Sequence, residues 1–231
     1  MTKVLIVDDN KQITQLLSAY VKREGWQAFL AYDGLEAIEL FRTEAPDVIL
    51  LDVMLPGIDG FEVCRQIRKD SQIPIIMVTA RGEDFEKIMG LEIGADDYIV
   101  KPFSPQEVMA RVKAILRRVS PDSNQKSEAV SLGNLKIEPD QFRVTLQGEP
   151  VVLTKKEFDL LLTLVYNKNL VLNRDQLLDK VWGYDYYGDT RTVDSHIKRL
   201  RAKFEKHPKK GWDIKTIWGV GYKLEENQDE E

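Results

Sequence analysis

Cysteine is nearly missing from this chain: Cys64 is the single thiol in 231 residues. One cysteine excludes an intrachain disulfide framework and a cysteine-based zinc cluster. Long apolar runs are missing as well. No stretch approaches the roughly 20 apolar residues that span a bilayer. Met1-Thr2-Lys3 leads directly into Val4-Leu5-Ile6-Val7, without the extended apolar segment and cleavage site of a signal peptide. The chain is therefore read as cytoplasmic, with no membrane partner. A positive surplus is also lacking, because 33 Lys and Arg stand against 38 Asp and Glu for a formal net charge of -5. Averaged over the whole chain, that balance argues against a nucleic-acid binder. Glycine (14) and proline (9) are too few for a collagen-like chain.

What is present is a change of pattern along the chain. Val4–Val7, Gln27–Ala31, Val48–Leu51, Ile75–Val78 and Tyr98–Val100 are short and mostly apolar, as strands buried on both faces of a parallel sheet are. Amphipathic segments alternate with them. Ile13, Leu16, Leu17, Tyr20 and Val21 make one stripe, and Asp33 caps a helix that turns Ala37, Leu40 and Phe41 inward. Further helices fit Phe61–Arg68, Asp84–Ile93 and Pro105–Arg118, and Cys64 beside Ile67 reads as core filler. The order βαβαβαβαβα predicts a doubly wound α/β domain over residues 1–118. A polar, aperiodic stretch over 119–129 predicts a linker. A second domain over 130–224 has strands at Leu135–Glu138, Phe142–Leu146 and Val151–Leu153, with Gln147–Pro150 as a turn. Helices follow at Lys155–Tyr166, Arg174–Val181 and Thr192–Lys206, then strands at Ile214–Trp218 and Tyr222–Leu224. Residues 225–231 form an acidic tail.

In open α/β sheets ligands bind beyond the carboxyl ends of the strands. The residues just past the predicted strands are Asp8-Asp9, Asp52, Thr79 and Lys101-Pro102. Three carboxylates, a hydroxyl and an ammonium would then converge on one edge. Clustered carboxylates repel one another unless a cation sits among them, and a hard divalent ion such as Mg²⁺ suits oxygen ligands. An aspartate can also accept a phosphoryl group, and Asp52 on the central strand is the candidate. Lys101 would neutralise phosphoryl oxygens and Thr79 would donate to one.

The segments Val7-Asp8-Asp9, Leu51–Gly60, Val78-Thr79-Ala80 and Gly94–Phe103 resemble a two-component receiver domain. The resemblance implies a five-stranded parallel, flavodoxin-like sheet in the order 2-1-3-4-5 and a cis bond at Lys101-Pro102. It further implies that Asp52 takes phosphate from a sensor histidine kinase. Asp8, Asp9, Asp52 and the Met54 backbone carbonyl would hold Mg²⁺ (or Mn²⁺), with Thr79 and Tyr98 as a switch pair. Lys87, Asp96, Asp97, Glu107, Arg111 and Arg118 match positions of a symmetric homodimer, formed through the receiver's last two helices and the strand between them.

In Thr192–Lys206 the apolar residues Val193, Ile197, Leu200 and Phe204 form one narrow stripe, leaving Ser195, Lys198, Arg199 and Ala202 opposite, flanked by Arg201 and Lys203. Between Arg191 and Lys223 ten Lys and Arg stand against three acids. Charge is thus unevenly spread: residues 1–120 hold 15 bases and 19 acids, residues 121–224 hold 18 bases and 14 acids. A helix, a loop, a basic helix and a hairpin with Gly219-Val220-Gly221 at its turn predict a winged helix-turn-helix α+β domain. Leu153–Leu161, Arg191–Arg201 and Gly219–Tyr222 resemble the effector domain of the OmpR/PhoB family. That implies promoter DNA, in tandem half-sites, as a partner of Arg191, Ser195, His196, Lys198, Arg199, Arg201, Lys203, Thr216, Trp218 and Tyr222, and RNA polymerase as another. For His196 a phosphate contact and a packing role both stand open. Trp218 replaces a more usual basic residue, so it packs or meets sugar-phosphate. The expected function is a phosphorylated response regulator that dimerises and regulates transcription. It is not an enzyme beyond its self-limited phosphoryl transfer and autodephosphorylation. The alternatives are an aspartate-dependent phosphatase, for which the chain has no Asp-x-Asp-x-Thr segment after a strand, and a phosphorylation-independent interaction module.

Overall fold

The structure, a computed structural model, describes residues 1–79, 93–116, 128–183, 186, 189–206 and 209–226. The chain divides into two compact units, one built chiefly on Met1–Arg117 and the other on most of the residues that follow. Lys87, Arg118, nearly all of the expected linker, residues 227–231 and the helix expected over Asp84–Ile93 (its last residue apart) lie outside the described residues.

In the first unit β1 (Lys3–Val7), β2 (Gln27–Ala31), β3 (Val48–Asp52), β4 (Ile75–Thr79) and β5 (Asp97–Val100) pair in parallel, in the order β2-β1-β3-β4-β5. The helices α1 (Lys11–Arg23), α2 (Gly34–Glu44), α3 (Gly60–Asp70) and α4 (Pro105–Leu116) connect or follow them. The central strands are apolar on consecutive residues because each face has its own helical cover. Val4, Ile6, Val48 and Leu50 pack with Leu17, Val21, Val108, Val112 and Ile115. Leu5, Val7, Ile49 and Leu51 pack with Ala37, Val63, Cys64 and Ile67 on the other side. Cys64 is thus a buried apolar filler.

The inward row of α1 differs from the expected stripe. Thr14, Leu17, Ser18 and Val21 are buried while Leu16 is exposed. Thr14 and Ser18 are small enough for close approach to the sheet, and Thr14 Oγ1 satisfies itself on Lys11 O at 3.1 Å. Asp33 caps α2 as expected, accepting Glu36 N–H at 2.9 Å.

The second unit opens with an antiparallel sheet of β6 (Val130–Leu132), β7 (Leu135–Glu138), β8 (Arg143–Leu146) and β9 (Glu149–Pro150). It continues through α5 (Lys155–Tyr166), β10 (Leu172–Asn173), α6 (Arg174–Val181) and α7 (Arg191–Phe204) to the hairpin β11 (Trp212–Ile217) and β12 (Gly221–Glu226). The last sheet has the order β10-β12-β11. The expected strand at Val151–Leu153 does not form. Gln147 and Gly148, at φ 55° and 85°, make a two-residue turn that starts the return strand at Glu149. Thr154 then already caps α5 through a reciprocal box with Glu157. The edge strand β10 lies against Gly221, where a Cβ would sit 2.1 Å from Leu172 O, so the hairpin needs glycine there.

Asp96 is a correction. Expected at a dimer surface, it is instead wholly buried. Its Oδ2 accepts from Arg68 Nη2 at 2.9 Å and from Ile75 N–H at 3.0 Å. The same guanidinium donates Nε to Gly94 O at 2.8 Å and Nη1 to Ile73 O at 2.6 Å. Arg68 thereby pins the end of α3 to the starts of β4 and β5. Asp96→Ala strands a buried guanidinium and should lower unfolding stability by about 3–5 kcal/mol in urea titration of the unphosphorylated chain. A residue serving an interface alone would leave that value within about 0.5 kcal/mol.

Candidate functional site

The strand order puts the carboxyl ends of β1 and β3 side by side at the sheet's winding reversal. Asp8 and Asp9 follow β1 and Asp52 ends β3, and carboxylate oxygens of all three lie within 4.8 Å of one another. Asp8 and Asp52 are buried while Asp9 is exposed at the mouth. Lys101, just past β5, reaches back so that its Nζ lies 2.7 Å from Asp8 Oδ2 and 2.8 Å from Asp52 Oδ2. The Lys101–Pro102 bond is cis. The backbone supplies further donors: Asn10 N–H to Asp8 Oδ1 at 2.9 Å and Met54 N–H to Asp52 Oδ1 at 3.3 Å.

Burial pushes the Asp52 carboxyl above its usual range; the Lys101 ammonium pulls it back and the Asp8 charge adds to the rise. Burial also opposes the charge on Lys101, but Asp52 and Asp8 outweigh it and raise its pKa above the ordinary 10.5. The ammonium therefore stays charged and neutralises one unit of a three-carboxylate cluster. Hard oxygen donors in this number fit a small divalent cation. Thr79 is buried at the end of β4, and its carbonyl accepts Lys101 N–H at 2.7 Å. Tyr98 is buried within the cluster beneath α3. Gly60 carries no functional group, yet the pocket requires it: a Cβ there would stand 2.0 Å from Asp52 O. The sequence signal was its place directly after Asp59, which caps α3 by accepting Glu62 N–H at 2.8 Å.

Three further residues expected at a dimer surface are paired within the chain. Arg111 Nη1 lies 3.1 Å from Asp97 Oδ2, and its Nη2 lies 2.9 Å from Glu107 Oε1. Asp97 and Arg111 are buried, and Glu107 is partly exposed.

In the second unit the four stripe residues of α7, Val193, Ile197, Leu200 and Phe204, are all buried. The buried face is wider than expected, because Ser195, His196 and Arg199 are buried with them. Two expected DNA contacts, Ser195 and Arg199, are thus corrected to interior positions, and His196 occupies the packing position of the two left open for it. Arg199 is drawn inward by Glu157, 3.5 Å from its Nε, and the same carboxylate accepts from Lys203. His196 Nδ1 donates to Thr192 O at 2.8 Å. The outward row is Arg191, Lys198, Ala202 and Glu205, with Asp194 and Arg201 partly exposed. Arg201 Nη2 donates to Ile214 O at 2.7 Å and to Thr216 Oγ1 at 2.9 Å, tying α7 to β11. Asp194 Oδ1 accepts from Arg174 Nε at 2.7 Å and from the Tyr222 hydroxyl at 2.6 Å. Burial and Asp194 push the Tyr222 phenol up to about 12, so it remains a donor. Arg201, Thr216 and Tyr222 therefore brace the helix against the hairpin. Trp218 stands 90% exposed at the hairpin tip beside Val220.

Lys156, unmarked by any sequence pattern, is wholly buried on α5. Its Nζ donates to Val181 O at 2.6 Å and lies 5.5 Å from the centre of the Trp182 ring, so it closes the carbonyl end of α6. A lysine inside an apparent helix start reads as solvated charge, and no pattern distinguishes it.

Residues 4–113 match the family described as response regulator receiver domain, and residues 148–224 match the family described as transcriptional regulatory protein, C terminal. The alkaline phosphatase synthesis transcriptional regulatory protein PhoP of Bacillus subtilis (strain 168) is 51% identical over 232 residues, covering 97% of each chain. Among solved structures, response regulator DrrB, a Thermotoga maritima OmpR/PhoB homologue, is 38% identical over 97% of this chain and 99% of its own, with a TM-score of 0.52. A RitR mutant is 28% identical over 98% of this chain and 100% of its own, with a TM-score of 0.75. With an acid cluster at the edge of a 2-1-3-4-5 sheet and a helix-hairpin unit later in the sequence, the chain belongs to the OmpR/PhoB family of two-component response regulators, phosphorylation-dependent regulators of transcription.

Proposed function

We propose that Asp52 is the phosphoacceptor and that a sensor histidine kinase is the donor. The observation that carries this reading is Lys101 Nζ held between Asp8 and Asp52, with Asp9 alongside at the mouth. One Asp52 carboxylate oxygen attacks the phosphorus, the phosphorus–nitrogen bond to the kinase imidazole breaks, and the leaving imidazole keeps the electron pair. Lys101 then meets the phosphoryl oxygens, and the Thr79 hydroxyl donates to one of them. Asp8, Asp9, Asp52 and the Met54 carbonyl are the groups that would hold Mg²⁺ or Mn²⁺, which when bound supplies positive charge for the transferred group. Water later returns Asp52 to its free form, a self-limited autodephosphorylation and not enzymic turnover.

Tyr98 and Thr79 act as the switch pair, and the phosphorylated receiver forms a symmetric homodimer. Arg111 would then exchange its intrachain partners Asp97 and Glu107 for the same groups across the two-fold axis, so the added energy is small and the gain is register. Promoter DNA is met by the outward residues Arg191 and Lys198 and by Trp218 at the hairpin tip, with half-sites about one helical turn apart. RNA polymerase is the partner downstream of promoter binding. The site acts in the cytoplasm, where kinase, promoter and polymerase meet.

Incubation with Mg²⁺ and a small phosphodonor should add one acid-labile phosphoryl group by intact mass. Asp52→Asn should abolish the addition, and equal uptake by the Asn variant removes the assignment. On the DNA side, Lys198→Ala should weaken duplex binding by about 1–3 kcal/mol if Lys198 reads a base, or reduce the salt slope by about one unit if it meets phosphate. Arg199→Ala should instead lower the stability of the second unit by roughly 2–3 kcal/mol, read by chemical denaturation, because Glu157 loses a buried partner. Loss of DNA affinity by Arg199→Ala at unchanged stability would return that arginine to the DNA surface.

A further inference from the structure

His196 sits on the helix that meets DNA, yet its side chain is wholly buried. Carbonyl oxygens only accept, so the 2.8 Å contact with Thr192 O fixes the hydrogen on Nδ1 and leaves Nε2 as a bare acceptor. Among the described residues Nε2 has no hydrogen-bond partner. The ring stands edge-on to Trp182, centroids 4.9 Å apart and planes at 79°. Trp182 follows α6 directly, and Lys156 of α5 reaches both its ring and the last carbonyl of α6. One chain of contacts, Lys156 to Trp182 to His196, therefore fixes the angle at which α7 leaves the other two helices.

The charged groups that bear on the ring are Arg199 and Lys203 of its own helix and Lys156 of α5. Glu157 of α5 is bound to the first two. From the end of α6 the ring meets the uncharged Trp182. A proton on Nε2 would add a fourth cation, in a place without an acceptor among the described residues.

We propose that His196 is a positioning residue for DNA recognition: neutral, it locks α7 onto α5 and α6, and protonation releases the helix, so DNA binding weakens in acid. Burial, then Arg199, Lys156 and Lys203, holds the imidazole well below its ordinary 6.5. Well above 6.5 the ring is neutral whether or not the helix is docked, and pH has no effect through it. As pH falls below 6.5 the undocked ring takes up a proton that the docked ring refuses, so the docked population declines. One proton sets the limit at roughly tenfold per pH unit. The direction is diagnostic. An exposed histidine touching phosphate would gain charge in acid and tighten the complex.

The inference rests on α7 carrying DNA recognition. The test uses the full chain with His207→Gln as background, since His207 is the other histidine in the sequence. The dissociation constant for a short dye-labelled duplex of mixed sequence is measured at fixed ionic strength from about pH 8 down to about pH 5.5, where one proton allows roughly tenfold weakening. The affinity should be level above 6.5 and fall below it, and adding His196→Gln should flatten the profile, because the amide can donate to Thr192 O but does not titrate. Tightening in acid, or the same slope with His196→Gln, overturns the proposal while leaving the regulator assignment intact. No binding at any pH would instead count against α7 as the DNA helix. If His196→Gln does not fold, ring-resonance titration of His196 in the His207→Gln chain decides: protonation at or above 6.5 overturns the proposal, and protonation well below it supports it.

Discussion

Three carboxylates confined to one edge of a sheet set the terms for the first unit. At separations within 4.8 Å, two unit charges repel by about 3.5 kcal/mol even at an effective dielectric near 20. The cluster exists because Lys101 lies between two of its members, and Lys101 is there because β5 ends one residue short of it, beside β4. Strand order, the burial of Asp52 and the tight approach of Gly60 to the end of β3 all serve the same end. They hold acids together with less positive charge than they require, a deficit that a divalent cation would make up.

The second unit solves a related problem differently. Its helices are joined by charges, some buried and some half-exposed, that find partners in one another: Glu157 with Arg199 and Lys203, Lys156 with the end of α6, Asp194 with Arg174 and Tyr222. Such networks add little net stability beside an apolar core, but breaking one partner is costly, so they specify a single arrangement. For a unit that must present one helix and one hairpin together, a defined angle matters more than extra stability.

Much of this was legible in the sequence. Four of the five receiver strands could be read because each is a short apolar run followed by a chemically distinctive residue, and Asp8, Asp9, Asp52, Thr79 and Lys101 follow from those ends, whereas β2 begins on Gln27 and ends on Ala31 without such a mark. The stripe of α7 was legible for the same reason. What escaped depends on tertiary partners. Asp96 looks like surface charge until Arg68, 28 residues away, closes on it. Arg199 looks like a DNA contact, and His196 stands open between contact and packing, because helical periodicity gives an angle but not the width of the buried face, which Trp182 and Glu157 enlarge. β10, of two residues, is too short to show alternation, and the strand expected at Val151–Leu153 yielded to the Thr154 cap.

The central claim is that charge placed on Asp52 governs the DNA affinity of a separate unit. Its most direct test is the dissociation constant for a duplex selected by the wild-type protein, measured with and without Mg²⁺ and a small phosphodonor, in wild type and in Asp52→Asn. The account predicts tighter binding on phosphodonor addition for wild type and no change for Asp52→Asn. Equal tightening in both proteins, or none in a wild type shown to be phosphorylated, would contradict it.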